Sequence, residues 1–340
     1  MKQAAILGER QARLVDVPDL EPKEDWAVVK IHAAPMCNEY HNFDSGRKSS
    51  GLGHEAAGEV VAIAQPGKVE VGDRVVVQPQ HPCGKCHLCV SGDHIHCQDG
   101  YNFKEFTGRG SGGSTMAQYI LKPSWILSRI PDDVSYEHAS LACCALGPSF
   151  NAFETMDVNS FDTVLITGIG PVGFGAITNA RYRGARVIAV ESIPWRVEHA
   201  KKMGVIAVID PSAEDAVQQI LDLTPGGRGV DCALDCSGNP LAHRLCIDAT
   251  RRRGQVAFVG QSGSRETEIN ISRDMIGKGL SLHGAWHYNL SLFPRLMNVI
   301  QNSDLLDLLI SHVFPMSEIQ AAFEASSSHE SAKIILKPWE

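Results

Sequence analysis

Cys83, Cys86, Cys89 and Cys97 lie in HPCGKCHLCVSGDHIHC with the spacing C-x2-C-x2-C-x7-C. Pro82, Gly84, Gly92 and Asp93 supply the turns that let so short a segment wrap one ion. Four thiolates around zinc close its tetrahedral shell and overcompensate its charge, so such an ion can neither bind a substrate nor act as a useful Lewis acid. Such a zinc is expected to hold a loop together, with unmetallated surface thiols as the other reading. His87, His94 and His96 fall inside the same segment, but the cysteines already complete the shell.

Chemistry then has to come from cysteine and histidine elsewhere. Two stretches qualify, APMCNEYH at 34–41 and GLGHEAAGEVV at 51–61. Cys37 and His54 offer a soft and a borderline ligand, and Glu55 is placed either to orient that shell or to enter it. A third candidate lies in ASLACCALGPSFNAF, where Cys143 and Cys144 interrupt an apolar segment; read alone, such a pair also fits core packing.

A nucleotide site is written separately. Residues 163–191 read as an apolar strand, a glycine turn, a helix and a second apolar strand ending in an acid. Gly168, Gly170 and Gly173, with Ile169, Pro171 and Val172 between them, form G-x-G-x-x-G, which brings backbone and a helix N-terminus up to a pyrophosphate. Glu191 is placed to accept ribose hydroxyls and to repel a 2′-phosphate, which favours NAD over NADP. Arg196 and Arg186 keep NADP open, since a guanidinium could accept that phosphate.

The elements behind these motifs change texture near residue 150. Before it come short β-rich runs such as WAVVKIHAA, GEVVAIA and DRVVVQP; after it strands and helices alternate, which implies a doubly wound parallel sheet. The chain has 340 residues, enough for two domains, and is 44% hydrophobic and 21% charged with a net charge of -8. Nothing in it forms a basic face, which argues against nucleic acid. No apolar run reaches transmembrane length, the N-terminal residues lack the pattern of a signal peptide, and ten cysteines then read as reduced thiols or metal ligands. The expected location is the cytoplasm.

In combination and in order, GHEAAGEVV with VGDRVVV, the segment CGKCHLCVSGDHIHC, TGIGPVG, GGRGVDCALDCSG and AAFEASSSHESAKIILKP resemble the zinc-dependent medium-chain dehydrogenase/reductase family of alcohol, sorbitol and threonine dehydrogenases. The resemblance covers essentially the whole chain. It implies a GroES-like β-rich catalytic domain over residues 1–148 carrying the zinc lobe at 81–97, a Rossmann NAD-binding domain over 149–287, and a segment 288–340 returning to the first. It implies an active site between the domains, two Zn²⁺ per chain, and a homo-dimer or homo-tetramer. It implies catalytic ligands Cys37 and His54, and CCALGPS lines up with Cys144 as the third. Val259 and Gly260, in VGQSG, would present backbone to the nicotinamide. Tyr101, Phe103, Trp286, His287 and Tyr288 occupy segments that border the cleft in similar proteins, with core packing as the other reading of each.

The chain departs from the family after Cys37. Members usually place Ser or Thr two residues on, to start a proton relay, and Asp after that, whereas this chain reads Asn38-Glu39-Tyr40-His41-Asn42. Glu39 is therefore expected to take the substrate proton directly, with His41 or solvent carrying it away; the other reading has Glu39 facing solvent or paired with a cation. Asn38, Glu39 and Asn42 offer extra polar groups near the metal. The expected activity is hydride transfer between a secondary alcohol, such as a polyol or sugar, or its carbonyl product, and NAD(P). Simple or aromatic alcohols are the second reading, and a non-catalytic nucleotide-binding protein the third.

Overall fold

The computed structural model describes residues 1–340. They form two compact units, one of Met1–Cys144, Tyr288–Asn302 and Ile310–Glu340, the other of Ala145–His287 and Ser303–Leu309. The boundary falls at 144/145 rather than 148/149, and 303–309 join the second unit rather than the first. Packing explains both shifts. The segment opening the helix Gly147–Thr155 is held by Asn179, whose Nδ2 donates to Leu146 O at 3.0 Å and Ser149 Oγ at 2.8 Å, and Leu308 O lies 2.7 Å from His199 Nε2.

The first unit holds the strands β1 (Lys2–Gly8), β2 (Gln11–Asp16), β3 (Trp26–Pro35), β4 (Ala56–Ala62), β5 (Arg74–Val77), β6 (Tyr119–Pro123) and β7 (Leu127–Arg129). The second contributes β8 (Thr163–Thr167), β9 (Arg186–Val190), β10 (Ala207–Ile209), β11 (Val230–Asp235), β12 (Thr250–Phe258) and β13 (Ser281–Gly284), and the chain closes on β14 (Ile310–Pro315) and β15 (Lys333–Lys337) back in the first. In the first unit β14-β15-β3-β4-β5-β7 form one sheet, with β6 also on β3 and β1 paired to β2. Its β-branched residues alternate inward, so that Val29 and Ile31 meet Val75, Val77 and Ile120 in one buried cluster.

The second unit is an all-parallel sheet in the order β10-β9-β8-β11-β12-β13. Numbered from its own first strand this is 3-2-1-4-5-6, the doubly wound order, whose switch point lies between β8 and β11. Covered on both faces, its strands are apolar almost throughout, as in Thr163–Thr167, where every residue is buried. None of the helices is long and apolar enough to cross a membrane.

One buried cation in the first unit lacks an acid. Lys122 on β6 is 2% exposed, and its Nζ donates to Gln80 O at 2.6 Å. Burial pushes its amine down to about 7. Because the unfolded chain holds that proton up to the ordinary lysine range, the folded state bears the desolvation penalty in full below pH 7 and sheds it as pH rises above 7. Lys122→Met should therefore stabilise the protein at acid pH, with a gain about 2 kcal/mol larger at pH 6 than at pH 9 in urea unfolding.

Candidate active site and cofactor turn

Two groups of side chains that could hold a metal ion are assembled in the first unit, Cys83-Cys86-Cys89-Cys97 and Cys37-His54-Glu55-Cys144, each with its donor atoms within 4.8 Å of one another. In the lobe the Cys83 and Cys89 sulfurs are 3.9 Å apart, as are those of Cys86 and Cys97. A tetrahedron with Zn–S bonds of about 2.3 Å has edges of about 3.8 Å, so the donor set fits zinc. The amides of Cys83 and Cys86 donate to Cys97 and Cys83 sulfurs at 3.3 Å, which favours thiolates. His94 is fully buried, and His87 and His96 are exposed. Asn289 clasps the lobe from outside, donating to Ser91 O at 2.7 Å and Asp93 Oδ1 at 2.9 Å.

The second group draws on distant parts of the chain. Cys37 follows β3, His54 and Glu55 precede β4, and Cys144 closes the first unit's long segment. His54 Nε2 lies 3.1 Å from Cys144 Sγ. In this thiol pair Cys37 is the group drawn toward thiolate, chiefly by a hydrogen bond from Cys144 and against burial, with help from Lys333 and His54. Two soft sulfurs, one imidazole and a nearby buried acid suit zinc, and two thiolates balance its charge. On the imidazole, burial is outweighed by hydrogen bonds to Cys37 and Glu39 and by the charge of Glu55, which raise His54 to about 11. The donor set thus attracts positive charge.

Glu39 corrects the expectation of a free proton acceptor. It is 8% exposed, one oxygen accepts the Cys37 amide at 2.8 Å, and the other lies 3.3 Å from His54 Nδ1. A carboxylate accepts only, so Nδ1 keeps a proton against Glu39, and a ring that gives up its second proton to a metal would do so at Nε2, on the side of the cysteines. Glu39 thereby links the backbone of Cys37 to the ring of His54. His41 is exposed, with its ring against Tyr40 at 4.1 Å.

Glu55 is fully buried, with Oε2 accepting the Cys144 amide at 3.0 Å and Oε1 accepting from Lys333 Nζ at 2.5 Å. Lys333, itself 0% exposed, also donates to Met36 O at 3.0 Å. Burial pushes the Glu55 carboxyl up to about 7, and the Lys333 charge opposes it. For the ammonium, burial is outweighed by Glu55, Cys37 and Cys144, so it stays charged. Sequence reasoning missed Lys333. The available signal was Glu55, an acid among small apolar residues that burial obliges to find a cation.

Other expectations shift too. Tyr101 and Phe103 pack edgewise and tilted on Trp26 at 5.5 and 6.0 Å, which is a satellite core. Tyr288 is 1% exposed and its hydroxyl accepts from Gln78 Nε2 at 2.8 Å, and His287 is also buried, whereas Trp286 is 45% exposed.

In the second unit Gly168 has φ +78°, and a Cβ there would stand 2.6 Å from the Ser237 Cβ. A Cβ on Gly173 would overlap Gly168 O, so glycine is required where the helix Pro171–Tyr182 leaves the turn. Glu191 is less open than expected. Its carboxylate already accepts the amides of Ile169 at 3.0 Å, Ser192 at 2.8 Å and Ile193 at 3.0 Å, and Arg196 lies 3.8 Å away. Arg186 begins β9, at the opposite end from Glu191, and reaches Leu223 O instead. Val259 and Gly260 follow β12, with both amides donating to Asp235 O.

Comparison with known proteins agrees with this assembly. The alcohol dehydrogenase GroES-like domain matches residues 23–132, and the zinc-binding dehydrogenase domain matches 171–302. An L-threonine 3-dehydrogenase of Pyrococcus horikoshii is 33% identical, with 98% of each chain covered. The chain belongs to the zinc-type medium-chain dehydrogenase family. A Bacillus subtilis sorbitol dehydrogenase is 29% identical over 99% of this dehydrogenase and 97% of its own length. Alcohol dehydrogenase TADH from Thermus sp. ATN1 shares the fold, with a TM-score of 0.88, 24% identity and 99% of each chain covered. The fold class is thus a GroES-like β-rich domain with a Rossmann domain, and the protein is an oxidoreductase of the zinc-binding dehydrogenase type.

Removing one partner of the buried pair should be costly. Lys333→Met leaves Glu55 buried and unpaired, and it should destabilise the protein by about 3–5 kcal/mol. The double variant Lys333→Met/Glu55→Gln should recover part of that loss in urea unfolding.

Proposed function

We propose that this dehydrogenase oxidises a secondary hydroxyl of a polar, multiply substituted compound such as a polyol or sugar, with NAD preferred to NADP. The observation that carries the reading is the convergence of Cys37, His54 and Cys144, with Glu39 fixing the imidazole. These three residues would hold a catalytic zinc, and the four lobe cysteines a second. Bound there, zinc supplies a Lewis acid that lowers the pKa of a substrate hydroxyl and polarises a carbonyl in the reverse direction.

The protein's own groups do the rest. Glu39 selects the His54 tautomer and, through the Cys37 amide, fixes the loop after β3. Glu55, paired with Lys333, pins the Cys144 backbone. With Glu39 committed and no hydroxyl in the family's relay position, the substrate proton leaves to solvent.

Sorbitol and threonine, named for two of the relatives, both carry a secondary hydroxyl beside further polar groups, and Asn38 and Asn42 flank Glu39 in sequence. Glu191, held by three amides at the carboxyl end of β9, supports NAD, since its charge would repel a 2′-phosphate. The cytoplasm remains the expected compartment for a chain whose clustered cysteines would bind metal as thiolates, and β13 leaves a sheet edge open in keeping with a homo-dimer or homo-tetramer.

The test is NADH or NADPH formation by zinc-replete protein on polyols, sugars, hydroxy amino acids and simple alcohols. Turnover on the polyol or sugar class with NAD is expected; turnover confined to simple or aromatic alcohols would overturn the substrate assignment. Glu39→Ala should lower the affinity of one of two bound zinc ions about 10–100-fold in chelator competition and leave the lobe's ion unchanged.

A further inference from the structure

Asp235 ends β11 beside the sheet's switch point and is fully buried. Its Oδ1 accepts from the Thr167 hydroxyl at 2.8 Å and from the Ser237 hydroxyl and amide at 2.6 and 3.2 Å. Its Oδ2 accepts from the Gly238 amide at 2.8 Å and lies 3.1 Å from His243 Nε2. The carboxylate thereby joins the end of β8, where the glycine turn begins, to the turn after β11. His243 extends the network one step further. It is 7% exposed on the helix Pro240–Ala249, and its Nδ1 lies 2.6 Å from Thr267 Oγ1.

The donor pattern follows from the carboxylate. Asp235 can only accept, so Nε2 carries a proton, and in the neutral ring Nδ1 accepts from the Thr267 hydroxyl. Thr267 lies in the stretch that runs from β12 to Asn270, which begins with Val259 and Gly260. A second staple acts on the same stretch, since Arg265 donates to Gly238 O at 2.9 Å and to Ser262 O at 3.1 Å. An otherwise exposed loop is thus fastened to the carboxyl ends of the central strands, the side on which open α/β sheets bind their ligands.

We propose that His243 is a positioning residue for the dinucleotide: bridging Asp235 and Thr267, it latches the loop after β12 to the switch point and so fixes the backbone that meets the cofactor. The inference rests on the NAD(H) reading above. Without the latch, the loop has to be ordered at the moment of binding, and the cost falls on cofactor affinity rather than on hydride transfer.

The experiment measures NADH binding to the zinc-replete protein by fluorescence, together with KM for NAD and kcat on the best alcohol. Thr267→Val removes only a half-buried hydroxyl, so it leaves the fold intact, and it should weaken NADH binding about 5–10-fold, as expected for one lost hydrogen bond of ordinary strength. KM for NAD should rise in step, with kcat held. His243→Ala should weaken binding at least as much. His243→Gln should restore most of it, because a carboxamide can donate to Asp235 and accept from Thr267, and Thr267→Ser should bind as wild type. Wild-type affinity in Thr267→Val would overturn the latch, as would a Gln variant no better than Ala. Absence of NADH binding by the wild type would instead overturn the cofactor reading.

Discussion

A lysine ammonium and a glutamate carboxylate, both at zero exposure, hold the metal-ligating group together. Lys333 lies on the last strand of the chain, and Glu55 follows directly on a ligand near its first quarter. Two charges removed from water must satisfy one another and their remaining hydrogen-bonding capacity, or the fold would do better with apolar side chains. Here the remaining capacity is spent on the site. Lys333 uses a second donor on Met36 O, one residue before Cys37, and Glu55 uses a second acceptor on the Cys144 amide. The pair therefore reaches Cys37 and Cys144 through backbone rather than through their sulfurs.

This explains why β15 has to return to the first unit. Ile335 and Leu336 pair with Pro35 and Ala34 on β3, and the Met36 amide donates to Ile334 O. The strand's apolar residues supply burial, and its one buried lysine supplies charge. Neither would suffice alone, because an apolar strand would leave Glu55 unpaired and a solvated lysine would not order the loop after β3. Glu39 completes the arrangement locally, since it binds both the amide of Cys37 and the imidazole of His54.

Motifs whose function depends on short spacing were legible in the sequence. The four-cysteine segment, the glycine turn and the alternation of strands and helices could be read because each is local, a matter of turns, ligand count or period. The role of Glu39 was not, because its partner is 15 residues away and chemistry alone does not separate a carboxylate that takes protons from one that orients a histidine. Tyr101 and Phe103 were ambiguous for a similar reason, as aromatic side chains fill a core or line a pocket equally well until Trp26 is seen beneath them. Lys333 and His243 were invisible as functional residues, since each acquires meaning only from an acid distant in sequence or across a turn.

The two units solve the same physical problem with the same device. In each, a fully buried carboxylate, Glu55 or Asp235, accepts from a backbone amide next to the binding group and from a side chain on another element. Carboxylates suit this work because two oxygens with about four lone-pair sites collect donors from several directions, and each charge-assisted bond is stronger than a neutral one. The difference lies in compensation. Glu55 meets a full cation within a cluster of thiols, where its uncompensated charge would add to theirs, whereas Asp235 is met by hydroxyls, amides and one imidazole. An ion site needs its surplus negative charge balanced before the ion is counted, and a dinucleotide site needs its backbone donors kept in place.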